Sequence, residues 1–167
     1  MELTTDVLLR GTAWNKAIDE LSPIFKATTN YSIYLLCISI GIMYDRRIAK
    51  PEENGEEVRT VPRTVMQNYD KGRMEFMFQA AILSTSTENF TEDERLELAF
   101  SDKKQNFNKL SFLTQFANFG VTKLVEQIGA TTIETMENIK NFLSSMVEGQ
   151  NFDIDILPDD ILLGEED

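Results

Sequence analysis

Histidine is absent from this chain, and cysteine occurs once, as Cys37. The first absence removes the side chain that titrates near neutral pH, and with it the usual general base, the Cys–His nucleophile pair and a zinc ligand set. The second excludes an internal disulfide and suits a reducing cytoplasm, the expected location. The eight glycines are scattered. Gly72-Arg-Met fits neither the dinucleotide nor the Walker spacing, so no loop is built to cradle phosphate. Long hydrophobic runs are also missing. The longest, Tyr31 to Tyr44, has 14 residues, short of the roughly 20 that a membrane-spanning helix needs. The segment Met1-Glu-Leu-Thr-Thr-Asp6 has no basic and no apolar stretch of the signal-peptide kind. No membrane partner is expected.

What the chain does hold is an ordinary globular composition with its charge unevenly placed. Hydrophobic residues make up 42% and charged residues 26% of 167 positions, enough for one domain with a real core. The net charge is −12, yet residues 148–167 hold eight acids and no base, while residues 1–147 hold 20 acids and 16 bases. The body is nearly balanced and the tail carries most of the charge. Tight, non-specific duplex binding needs clustered cations against phosphate, so it is not expected of this chain alone.

The apolar spacing predicts an all-α fold, a single compact domain of five to seven helices over 1–149, followed by an acidic C-terminal tail over 150–167. Trp14, Ala17, Ile18, Leu21 and Phe25 follow a helical period, with Thr12 as N-cap and Pro23 weakening the end. Thr28 to Asn30 offer caps for the run 31–44, whose tyrosine and isoleucine content also suits a buried strand. Gly41 in that run permits close packing. Residues 45–63 read as a loop broken by Pro51, Asn54-Gly55 and Pro62, with Val58 and Val61 able to form a short β-arm. Helical patterning resumes at about Thr64, where Val65 and Met66 lead to Tyr69, and Met74, Met77, Phe78, Ala81 and Ile82 then mark one face. Thr91-Glu-Asp-Glu94 is a capping box opening a helix to Phe100. The longest periodic segment starts at Ser101 and runs to Ile128, with Gly129 as its stop. Thr131-Thr-Ile-Glu134 is a second box, before a face of Ile133, Met136, Ile139, Leu143, Met146 and Val147.

Candidate sites are few. Glu92, Asp93 and Glu94 fall in a first helical turn, where anions complement the helix dipole. Asp153, Asp155, Asp159 and Asp160 imitate calcium ligands but lack the EF-hand spacing. No catalytic, metal or cofactor residue is assigned. Arg46, Arg47, Arg59 and Arg63, with Lys71 and Arg73 further on, form the one mildly basic region, which also carries Tyr44 and Tyr69. They are candidate contacts to nucleic acid or an acidic partner, set against ordinary ion pairing. Phe76 lies off the main stripe and is a candidate exposed anchor. The tail alternates acids with large apolar residues, which suits a segment that folds onto a partner or back on its own body. Its candidate anchors are Phe152, Ile154, Ile156, Leu157, Asp159, Asp160, Ile161, Leu162 and Leu163.

Four pieces in order carry a family resemblance: Ile33–Gly41 followed by Arg46-Arg47; Val61-Pro62; Phe76–Leu83; and Phe116-Ala-Asn-Phe-Gly-Val-Thr-Lys-Leu124. Over roughly residues 31–129 the chain resembles the Dnd-system-associated protein 4 family, small proteins found with DNA phosphorothioation defence loci. The resemblance implies a defence setting without enzymatic activity or cofactor. Such loci also hold nucleases and ATPases of the structural-maintenance-of-chromosomes (SMC) type. The expected function is therefore a non-catalytic accessory subunit of a prokaryotic DNA-defence (anti-phage, antiviral) complex, docking on a larger SMC-like ATPase or nuclease. Nucleic acid would be touched only through the complex. The alternative is a phage or plasmid inhibitor acting as an acidic DNA mimic. A mimic spreads its carboxylates over the folded surface, whereas here they concentrate in the tail.

Overall fold

The computed structural model describes residues 1, 3–25, 29–51, 57–101 and 107–148; the tail lies outside the described residues. Among the described residues, seven helices and one two-stranded sheet make an all-α domain. No helix among the described residues is long and apolar enough to cross a membrane.

The chain enters through β1 (Val7–Leu9), which pairs antiparallel with β2 (Arg59–Val61) in the register Val7↔Val61. β2 is the short arm expected near Val58 and Val61. β1 carries no sequence signal, since three residues are too few to show alternation. Helix α1 (Thr12–Ile24) follows. Its N-cap is Gly11 at φ 97°, not Thr12, and no side chain caps it. Glycine is admitted there because φ is positive. Pro23 sits in the last turn, where the helix closes on Phe25.

Residues 31–43 form a helix, α2 (Tyr31–Met43), and not a strand. Its apolar residues surround it because neighbours cover it on most sides: Ile33, Tyr34, Cys37, Ile38 and Ile40 are all buried. Asn30 precedes it without capping it. The Asn30 amide donates to the Thr60 carbonyl at 3.0 Å and so ties the sheet to the helix. At the other end Asp45 takes φ 47°. Its N–H bonds Ile42 O and the Arg46 N–H bonds Gly41 O, at 2.9 and 3.1 Å, the pattern of a Schellman C-cap.

The helical pattern expected from about Thr64 forms two helices: α3 (Arg63–Tyr69) and α4 (Arg73–Ser84). Asp70 makes the break. Its carboxylate accepts from Gly72 N at 3.1 Å and Met74 N at 2.8 Å, and Lys71 and Gly72 take φ of 51° and 83°. The break re-aims α3, and Tyr69 at its end is 61% exposed. Helix α5 (Glu92–Phe100) opens on the expected capping box between Thr91 and Glu94.

The long segment starts later than expected. Helix α6 (Lys109–Val125) is capped by Asn108, whose Oδ1 accepts from Ser111 N at 2.9 Å. Gly129 is not its stop. The Gly129 N–H bonds Thr135 Oγ1 at 3.0 Å and belongs to the entry of α7 (Thr132–Glu148). There Thr131 Oγ1 accepts from Glu134 N, but the Glu134 carboxylate takes Ala130 N, one residue short of a full box.

The core is organised by the crossing of α2 and α6. A Cβ on Gly41 would lie 2.6 Å from the Phe116 carbonyl carbon, and one on Gly120 2.7 Å from the Cys37 carbonyl carbon. Each glycine thus admits the other helix's backbone. Beside this crossing, Trp14 Nε1 donates to Asn118 Oδ1 at 3.0 Å, and Asn118 Nδ2 donates to Ile48 O at 3.1 Å. One amide therefore links α1, α6 and the segment after α2.

Candidate docking surface

Helix α4 has two apolar faces. Met74, Phe78, Ala81 and Ile82 turn inward and are buried. Phe76, Met77 and Ala80 occupy the adjacent face, and Phe76 is 70% exposed. With Ser39, Ile42 and Met43 from the end of α2, they line a groove of about 460 Å³. The turn Lys71-Gly72-Arg73 completes it. That turn is held by Asp70, which also accepts a 2.6 Å hydrogen bond from the Tyr31 hydroxyl. Burial first, and then this hydrogen bond, push the Tyr31 phenol above its ordinary pKa. The groove is apolar along its length, and neither Lys71 nor Arg73 forms an ion pair among the described residues.

The C-terminal end of α2 is fastened to the end of α4. Thr85 Oγ1 donates to Asp45 Oδ1 at 2.5 Å, and Ser86 N and Oγ donate to Oδ2, each at 2.7 Å. Desolvation raises the Asp45 pKa, but the hydrogen bonds from Thr85 and Ser86 outweigh it and hold the carboxyl below its usual range. The two walls of the groove are therefore fixed relative to each other.

The four candidate arginines Arg46, Arg47, Arg59 and Arg63 are not brought into one group. Arg47 turns inward. Its guanidinium lies 2.6 Å from Glu88 Oε1, donates to Thr87 Oγ1 at 3.0 Å, and stacks 4.9 Å from the Phe112 ring centre. Arg59 pairs with Asp19 on α1 at 2.9 Å. Arg63 donates through its backbone to Asp6 and through its side chain to the Thr4 carbonyl. Arg46 is exposed, without an ion pair among the described residues. The tail anchors Phe152, Ile154, Ile156, Leu157, Asp159, Asp160 and Ile161–Leu163 all lie outside the described residues.

A second apolar surface runs along α7. Thr135 and Ile139 are buried, whereas Ile133 is 71% exposed and Met136 and Val147 are also exposed. The face expected from the sequence is wider than the strip the body covers.

For chemistry the site offers little. Among the described residues no three metal-ligating side chains converge. Cys37 is fully buried and its thiol is pushed far up by desolvation, so it is no nucleophile at neutral pH. Sequence reasoning found Phe76 because it breaks the stripe. It did not single out Met43, which reaches the groove from another helix; Lys71 and Arg73 it read only as part of the basic region, and Met77 as core and partner surface, without joining them to Phe76. No family model matches the chain, and no curated protein or solved structure matches it significantly.

Proposed function

We propose that this protein is a non-catalytic docking subunit, and that it binds a larger partner through the groove around Phe76. The exposure of Phe76 on an apolar face, beside Met77 and Met43, is the observation that carries this reading. A large aromatic held over a fixed apolar groove is the kind of side chain that dominates interfaces, and leaving it in water otherwise has no compensating gain. The resemblance to the Dnd-associated family supplies the setting: an accessory subunit of a prokaryotic DNA-defence complex, whose partner is an SMC-type ATPase or a nuclease. The cations Lys71 and Arg73 at one end of the groove favour a partner segment with apolar anchors and acidic flanks.

Affinity capture from the native host with mass spectrometry tests the setting. An ATPase or nuclease recovered in stoichiometric amount is the expected outcome. Recovery of the bare chain alone contradicts the subunit reading.

A further inference from the structure

The same groove is complementary to a segment of this chain. Ile156-Leu-Pro-Asp-Asp-Ile-Leu-Leu163 places paired acids between aliphatic residues, and the groove places Lys71 and Arg73 beside an apolar floor of Ile42, Met43, Met77 and Ala80. We propose that this tail segment occupies the Phe76 groove of its own chain when no partner is bound, so that a partner must displace it. Asp159 and Asp160 would face Lys71 and Arg73, and Ile161 to Leu163 would lie along Phe76. The proposal rests on the groove being the docking surface.

Two further observations support this occupant. The first is reach. Ile161 lies 13 residues beyond Glu148, or roughly 40 Å of extended chain at about 3.3 Å per residue. A body of this size has a radius of gyration near 15 Å, roughly 40 Å across, so the anchors can reach surfaces within about 40 Å of Glu148 along the body. The second is charge. The other uncovered apolar surface, on α7, is flanked by Glu134, Glu137 and Glu148 against one Lys140, and it repels an acidic segment. The groove attracts it. Binding within one chain gains from high effective concentration, so even a weak contact is populated.

The test uses the full chain. A spin label is placed through Gly164→Cys, Cys37 being shielded by its burial, and the methionine methyls are ¹³C-labelled. The Met43 and Met77 signals should lose at least half their intensity, while Met136 on α7 stays unchanged. Lys71→Glu with Arg73→Glu should restore both signals. A mixture of spin-labelled and isotope-labelled molecules should show no loss. Unchanged Met43 and Met77, or an equal loss at Met136, overturns the proposal. So does an equal loss in the mixture, which assigns the tail to a second copy. Because no partner is present, these outcomes are independent of whether host capture recovers an ATPase or nuclease.

Discussion

Replacing Gly120 with alanine sets two known effects against each other, and their sum has a definite sign. Alanine in a helix interior is favoured over glycine by about 1 kcal/mol. If α6 faced solvent at this point, Gly120→Ala would stabilise the protein. Instead the new Cβ would lie 2.7 Å from the Cys37 carbonyl carbon, where contact between carbon atoms needs about 3.5–4.0 Å. The obstacle is backbone, which has no rotamer to change, and the Cys37 carbonyl oxygen lies nearer still, so α2 and α6 must part by more than about 1 Å or bend. Overpacking of this kind costs about 1–3 kcal/mol, and a backbone obstacle belongs at the upper end. The expected net effect is a destabilisation of about 2 kcal/mol, after the propensity gain is subtracted. In urea, with a slope of about 1–3 kcal/mol per molar, the midpoint should fall by roughly 1 M with the slope unchanged. Gly41→Ala should behave alike, because its Cβ meets the Phe116 carbonyl. The double variant should lose less than the two singles added, since one separation relieves both clashes. A raised midpoint for Gly120→Ala refutes the crossing.

Three further outcomes are expected. Asp45 has a folded-state pKa below its ordinary value, so its contribution is present above about pH 4 and lost as pH falls through the lowered pKa; Asp45→Asn, which keeps the tolerance for positive φ, should flatten that acid limb in a pH series of urea midpoints, and an unchanged limb counts against the Thr85–Ser86 contacts. Asn118→Ala leaves the Trp14 indole N–H and the Ile48 carbonyl without their partner, and should destabilise by about 1–3 kcal/mol in chemical denaturation, an unchanged midpoint removing the amide from the core. Cys37 should resist a thiol reagent in the native protein and react fully in denaturant, whereas rapid native reaction would mean that α2 is not central.

The legibility of this chain in its sequence follows from the range of each signal. Thr91 and Glu94 act within one helical turn, and their box stands as read. Phe76 was visible because it interrupts a helical period. The run 31–43 left helix and strand both open because α2 is covered on most sides and so shows no period. The split at Asp70 was hidden because Met66 and Met74 keep a helical spacing across it. What breaks the helix is a carboxylate bound to Gly72 and Met74 N–H groups and to the Tyr31 hydroxyl from α2, a tertiary contact with no local mark. The same holds for Arg47. In sequence it joins a basic stretch, but in the fold Glu88, Thr87 and the Phe112 ring, brought from distant segments, engage it. The groove draws on two helices and a turn, so Phe76 and the cations Lys71 and Arg73 could be read ahead only singly, not as one surface.

The claim that the groove, and not the wider apolar strip of α7, is the docking surface is tested most directly by comparing two charge substitutions in one capture experiment. Phe76→Glu and Ile133→Glu each place a carboxylate at a site now 70% and 71% exposed, so both should keep the wild-type urea midpoint within about 0.5 kcal/mol of stability. Loss of a central aromatic anchor typically removes about 2 kcal/mol or more of binding free energy, roughly a 30-fold weakening. Phe76→Glu should therefore lose its captured partner while Ile133→Glu retains it. Retention by Phe76→Glu, with loss in Ile133→Glu, would move the docking surface to α7 and contradict the account.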